Sequence, residues 1–217
     1  MKYLIVLFLV FKQLSYAQEF TIKNDGNHYK IHEILSQYIQ QKSISGNEKV
    51  AGEWLKNVCQ QNGLYITQMG DANGNYNFSA SIRPLSENLP NIIFLNHIDV
   101  VPVGDSSKWS YPPFSGMIMD GRVWGRGAFD NKGAAIVQLA SVIQAARHFK
   151  DKELPLNVTF LAVSCEETQC QGGVNYVINN HFNELNPSVV IGEGPPGLKG
   201  ILETDTSLTL FGISIAH

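Results

Sequence analysis

What this sequence has little of narrows it first. Three cysteines in 217 residues are too few to staple a small disulfide scaffold. Charge is scarce, at 16%, with 16 Lys and Arg against 19 Asp and Glu. That leaves no basic surplus to neutralise phosphates, so broad nucleic-acid binding is excluded. The N-terminal apolar run from Tyr3 to Phe11 falls well short of the ~20 residues a membrane-spanning helix needs. There is no Gly-x-Ser-x-Gly elbow, and no Gly-Lys-Ser/Thr follows Gly125-Arg126-Gly127, so neither a serine hydrolase nor a phosphate loop is indicated. Internal repeats and low-complexity tracts are also missing. What is present, 44% hydrophobic residues with 19 Gly and 9 Pro, belongs to a packed globular protein and not to a disordered, collagenous or coiled-coil chain.

Residues 1–17 read as a secretory leader. Lys2 precedes the apolar run, and Ser15-Tyr16-Ala17 places small residues at −3 and −1 of a cut after Ala17. Loss of Lys2 and Lys12 with the leader would take the net charge from −3 to −5. The expected destination is secreted or periplasmic, with no membrane span left after cleavage. In an oxidising compartment Cys165 and Cys170 could bridge, although buried free thiols explain them equally well. Asn77-Phe78-Ser79 and Asn157-Val158-Thr159 match the glycosylation sequon, the second within a strand-like run.

Beyond the leader, apolar positions 31, 34, 35, 38 and 39 predict a helix over Tyr29–Tyr38, and a second helix is expected over Glu48–Gln61. Strand patterns follow at Leu64–Met69 and Tyr76–Ile82, around a turn at Gly70–Asn75. The middle of the chain then alternates: strand Ile92–Leu95, Ala-rich helix Ala134–Phe149, strand Leu156–Val163, helix Gly173–His181, strand Val189–Ile191. Alternation of this kind predicts an α/β fold with a mostly parallel sheet flanked by helices. Gly194–Gly200, with Pro195-Pro196, is the candidate linker. The expected organisation is leader 1–17, catalytic-domain portion 18–200, and the start of a further domain at 201–217.

The acids and imidazole fall where such a sheet places its ligand crevice, outside the carboxyl ends of the strands. His97, Asp99, Glu166, Glu167 and Glu193 each follow a predicted strand, and Asp130 precedes the long helix. One imidazole with several carboxylates suits Zn²⁺ or a similar divalent ion. Asp99, two residues from His97 in an extended segment, could reach its second ring nitrogen and fix the tautomer. Adjacent Glu166 and Glu167 suggest that one carboxylate binds metal while the other moves protons.

These stretches carry a resemblance. Asn96-His97-Ile98-Asp99-Val100-Val101-Pro102, then Trp109, Pro113-Phe114, Gly125 through Gly133, and Glu166-Glu167 with Gly172-Gly173 together resemble the M20 metallopeptidases. That family includes glutamate carboxypeptidase, dipeptidases, aminoacylases and the acetylornithine and succinyl-diaminopimelate deacylases. The resemblance implies a zinc-peptidase-like domain holding two Zn²⁺ ions, or other divalent ions such as Co²⁺ or Mn²⁺. His97 and Glu193 would bind the first metal, Asp130 would bridge both, and Glu167 would bind the second. Asp99 would orient His97, and Glu166 would be the general base. A non-proline cis peptide is implied at Asp130–Asn131. The family's Asp-Glu-Glu is here Cys165-Glu166-Glu167, with both functional acids kept.

Two family histidines, one completing the second metal site and one on a lid domain, have no counterpart here, and His217 is given no role. The chain is therefore expected to be an N-terminal portion that is inactive alone, with apolar surface left open around its strands. A homodimer would form through the missing lid. The expected activity is hydrolysis of a small peptide or N-acyl amino acid. The alternative is a non-catalytic binding or scaffold protein that keeps the fold, against which an intact Glu166 counts.

Overall fold

A computed structural model of the chain describes residues 20–70, 75–194, 198–199 and 209–210. The leader, the tip of the Gly70–Asn75 turn, most of the linker and most of segment 201–217 lie outside the described residues. No described helix is long and apolar enough to cross a membrane.

The chain opens with a hairpin that sequence periodicity does not flag, β1 (Thr21–Asn24) and β2 (Asn27–Lys30). Asp25 and Gly26 turn it at φ 47° and 80°, the paired positive values a tight hairpin needs. Helix α1 (Ile31–Gln40) follows and buries Ile34, Tyr38 and Ile39, the stripe the spacing indicated. Helix α2 (Lys49–Gln61) begins after Glu48 and stops at Asn62-Gly63. Strands β3 (Tyr65–Gln68), β4 (Phe78–Ser81) and β5 (Asn91–His97) come next, then a small hairpin of β6 (Met117–Met119) and β7 (Arg122–Trp124). Helix α3 (Lys132–His148), β8 (Asn157–Val163), α4 (Val174–Leu185) and β9 (Pro187–Ile191) complete the alternating section. A short antiparallel pair, β10 (Leu198–Lys199) with β11 (Thr209–Leu210), lies beyond.

The central sheet has the order β3-β4-β8-β5-β9. The expected α/β architecture is present, with β8, β5 and β9 mutually parallel. The hairpin of β3 and β4 attaches antiparallel to β8. Parallel pairing sets the carboxyl ends of β5, β8 and β9 at one edge. His97, Val163 and Ile191 therefore end at the same side of the sheet, and the polar residues after them are brought together.

One core fills the space between the sheet and helices α1, α2 and α3. Its members include Tyr38, Leu55, Phe78, Ile98, Leu139, Ile143 and Phe160. Each large apolar side chain taken fully from water contributes about 1.5–3 kcal/mol. A smaller cluster of Met69, Leu85, Ile93, Leu161, Val163, Val177 and Leu185 lies under α4. Lys132 is also fully buried. Its ammonium donates to the carbonyls of Tyr38 and Gln41 at 3.1 and 2.6 Å, and lies 4.5 Å from the Tyr38 ring centroid. It thus adds a donor at the end of α1, where Tyr38 O also accepts Gln41 N–H, and burial lowers its pKa to about 7.

On the β9 side the expected apolar exposure is present. Val189 and Val190 are 49% and 54% exposed, and Ile178 and Phe182 on α4 are similarly open. Both sequon asparagines are buried and structurally employed. Asn77 receives Ser164 N–H and donates to Gly172, while Asn157 exchanges hydrogen bonds with the backbone of Arg83.

Candidate metal centre

His97 ends β5 and is 3% exposed, so its ring has little freedom. Its Nδ1 lies 2.9 Å from the Asp99 carbonyl oxygen. A carbonyl can only accept, so Nδ1 carries a proton and Nε2 is the nitrogen that faces outward. Nε2 meets acids: Asp130 Oδ1 at 3.0 Å, Glu193 Oε1 at 3.4 Å and Glu166 Oε2 at 4.0 Å. Two sets have ligand atoms mutually within 4.8 Å, His97 with Asp130 and Glu167, and His97 with Glu166 and Glu193. All six sequence-derived site residues therefore meet at the carboxyl edge of the sheet.

A ring nitrogen set among several carboxylates calls for positive charge between them, a proton or a cation. Burial pushes the His97 pKa down, but hydrogen bonding and charge from Asp99, with the charges of Glu193 and Glu166, outweigh it and raise it to about 9. Glu166 is raised, first by burial and then by repulsion from Glu193, Asp99 and Asp130, against the opposing pull of His97. Burial also raises Glu167, with Asp130 next. This is the signature of a site short of cationic charge. Its donors, one imidazole nitrogen and carboxylate oxygens, fit a divalent metal such as zinc.

Asp99 departs in part from its expected role. Its carboxylate stands 3.4 Å from His97 Nδ1, farther than its own carbonyl oxygen. Its closer partners lie elsewhere: Ser45 Oγ donates to Oδ2 at 2.7 Å, Glu166 N to Oδ1 at 3.0 Å and Glu167 N to Oδ2 at 3.2 Å. Burial would raise its pKa, but the hydrogen bonds from His97 and Ser45, the His97 charge and the Glu166 amide hold it below the usual range. Asp99 thus orients His97 through its backbone and fixes the Glu166-Glu167 loop through its side chain.

Asp130 is delivered by the turn before α3. Gly127 takes φ 82°, and a side-chain carbon there would press on Val100 at 2.8 Å. The Asp130–Asn131 peptide is cis, as the resemblance implies. Cys165 and Cys170 are bridged, with Cα atoms 5.7 Å apart. Cys59 is buried and free.

Three supporting residues escaped the sequence reading. Ser45 holds Asp99, and Asn131 donates from Nδ2 to Glu193 Oε2 at 2.8 Å. Buried Glu48 accepts the amides of Gly46 and Cys165 at 3.0 and 3.2 Å. Nothing local in the sequence connects the Ser45-Gly46-Asn47 turn to residues more than fifty positions away. Trp109 and Phe114 serve the long loop: Trp109 Nε1 donates to Val103 O and its ring carries Arg126, while Lys42 lies over Phe114. A cavity of about 430 Å³ opens beside His97 and Glu193, walled by Leu95, Val163 and Val174.

The comparisons with known proteins agree with this architecture. The chain is 32% identical over 152 residues to a succinyl-diaminopimelate desuccinylase of Orientia tsutsugamushi (strain Boryong), a match covering 68% of this chain and 37% of that protein. It is 36% identical over 126 residues to a probable carboxypeptidase S-like protein of Dictyostelium discoideum, covering 56% of this chain and 24% of the other. An M20 family metallo-carboxypeptidase from Sulfolobus solfataricus matches with a TM-score of 0.65 at 28% identity, over 79% of this chain and 38% of its own. The chain thus spans well under half the length of these relatives. The family model for peptidase family M20/M25/M40 matches residues 93–205, more than half of the sequence and the stretch holding every acid of the site. The chain belongs to peptidase family M20/M25/M40.

Proposed function

We propose that this chain carries the metal-binding part of an exported hydrolase that cleaves a peptide or N-acyl amide bond in a small peptide or N-acyl amino acid. The observation that carries the reading is the convergence of His97, Asp130, Glu166, Glu167 and Glu193 from the end of β5 and three separate loops at one sheet edge. His97 and Glu193 would hold one divalent ion, Glu167 a second, and Asp130 both, with zinc the ion these donors suit. When bound, such a pair polarises a scissile carbonyl and acidifies water. Glu166 is the general base: it takes a proton from the attacking water and returns it to the departing nitrogen. Its pKa is raised, first by burial, which is the direction a group that both accepts and releases a proton requires. Asp99 keeps the acid loop and the imidazole in fixed relation. Export is supported by the leader pattern of residues 1–17 and by the Cys165–Cys170 bridge, since such bonds persist in oxidising compartments.

The test compares the adjacent acids in the intact protein. Glu166→Gln is expected to lose turnover of N-acyl amino acids or dipeptides by about 10²-fold or more, as removal of a general base does, with metal content retained. Glu167→Gln is expected to lose metal. Equal metal loss in both variants would show the roles to be wrongly divided, and full activity in Glu166→Gln would refute the base.

A further inference from the structure

The loop that carries Glu166 and Glu167 is closed by a covalent bond for which the proposed chemistry has no use. Cys165 and Cys170 enclose the two acids together with Thr168 and Gln169. This ring is neither helix nor strand, and its internal backbone bonds are few: Gln169 N donates to Glu166 O at 2.9 Å and Cys170 N to Cys165 O at 3.3 Å. Cys165 and Gln169 both hold left-handed backbone, at φ 51° and 52°. Residues other than glycine keep that conformation where their surroundings impose it. At Gln169 side-chain packing cannot impose it, because Glu166, Thr168 and Gln169 are exposed and Glu167 is half-buried, whereas Cys165 is held in the core. Two anchors remain. One is Asp99, which receives the amides of Glu166 and Glu167. The other is the bridge, whose two ends are seated: Cys165 is buried with its amide on Glu48, and Cys170 Sγ accepts from Gly172 N at 3.2 Å.

We propose that Cys165 and Cys170 are positioning residues whose bridge holds the Glu166 and Glu167 carboxylates in place, so that metal affinity at the centre follows the redox state of this pair. The inference rests on the proposed reading of Glu167 as a ligand. With the bridge closed, the loop is a six-residue ring and few backbone states are open to it. With the bridge broken, the Asp99 hydrogen bonds and the two turn bonds within the loop are left to resist the entropy of the freed segment. Cys165 stays seated in the core, while half-buried Cys170 and the residues before it move. A phosphine opens the bridge in a balanced step. Phosphorus supplies two electrons to the S–S bond and becomes the phosphine oxide with the oxygen of one water, whose two protons complete the two thiols.

The experiment measures zinc affinity of the intact protein, by competition with a chromogenic chelator, before and after treatment with tris(2-carboxyethyl)phosphine. Hydrogen exchange over residues 157–173 is followed in parallel. Reduction is expected to weaken zinc binding about tenfold or more, the scale on which loss of a ligand's outer support acts. Exchange is expected to quicken at residues 166–170 while β8 stays protected. A Cys165→Ala/Cys170→Ala variant should begin at the weaker affinity and ignore the phosphine, which clears Cys59 and the reagent of responsibility. If that variant does not fold, Cys170→Ser, which leaves the buried Cys165 in place, serves the same purpose. Unchanged affinity together with unchanged loop exchange overturns the proposal. If the oxidised protein binds no zinc at all, the reading of the metal centre fails instead, and loop exchange alone decides whether the bridge orders the acids.

Discussion

The two helices that flank the parallel strands are treated very differently by the fold. Helix α3 buries Ala135, Ile136, Leu139, Ala140, Val142, Ile143 and Ala145 along its length, and α1 and α2 close over the same core. Helix α4 buries Val177 and Leu185, while Ile178, Phe182 and the neighbouring β9 residues Val189 and Val190 are open. Parallel strands are ordinarily covered on both faces. The α3 flank is therefore a finished core, and the α4 flank is a surface whose composition suits burial. The metal centre straddles the boundary: Asp130 is presented by the finished flank, Glu193 by the open one, and Asn131 links the two through Glu193.

The sharpest way to break this comparison is to truncate one phenylalanine on each side. Phe160→Ala, in the finished core at 0% exposure, is expected to cost about 3–5 kcal/mol. Phe182→Ala, at 53% exposure, is expected to stay within about 0.5 kcal/mol of neutral. Denaturant midpoints of the two variants decide it, and a large cost at Phe182 would show that the α4 flank is covered in the protein.

A smaller effect tests the link between the flanks. Asn131→Ala leaves every proposed ligand present but frees Glu193, so zinc affinity is expected to fall about 10- to 100-fold with little change in unfolding midpoint. Undiminished affinity would show that Glu193 needs no such tether.

The smallest effect belongs to Glu48, wholly within the finished flank. Burial raises its pKa, against hydrogen bonds from Gly46 and Cys165, with the Asp99 charge adding to the rise. An acid whose folded pKa exceeds its unfolded one binds more protons when folded. Its penalty is absent below the unfolded value and grows as pH rises through the folded value. Wild type should therefore lose stability relative to Glu48→Gln as pH climbs from about 4.5, and parallel stability–pH curves for the two proteins would contradict this.

Much of this was legible in the sequence, for identifiable reasons. β5 and β8 lie in the sheet interior, so their apolar runs are continuous, and the acids follow at once in the chain. Strand-end logic sufficed to collect His97, Glu166, Glu167 and Glu193, and Asp130 was placed by the loop before the long helix. The hairpin of β6 and β7 was not legible, because three-residue strands with Met117, Ile118 and Met119 all exposed show no alternation. Nor were Ser45 and Glu48, whose roles exist only once the segment before α2 is packed beside residues 98–100 and the β8 loop. The pairing of Cys165 with Cys170 stayed open in sequence because it depends on how the loop turns back, which spacing alone does not determine.

Lys132 carries a consequence for how this protein can be followed in solution. An amine titrating near 7 would ordinarily be strongly nucleophilic at neutral pH, where an ordinary solvated lysine side chain, at ~10.4, is protonated. Here the same burial that lowers the pKa also seals Nζ against the end of α1, so an acylating reagent cannot reach it. Mass mapping after a brief pulse of such a reagent would find Lys132 unlabelled in every molecule whose α1 is docked. The label appears when α1 lifts away, which makes one native side chain an internal clock for the opening of the finished core.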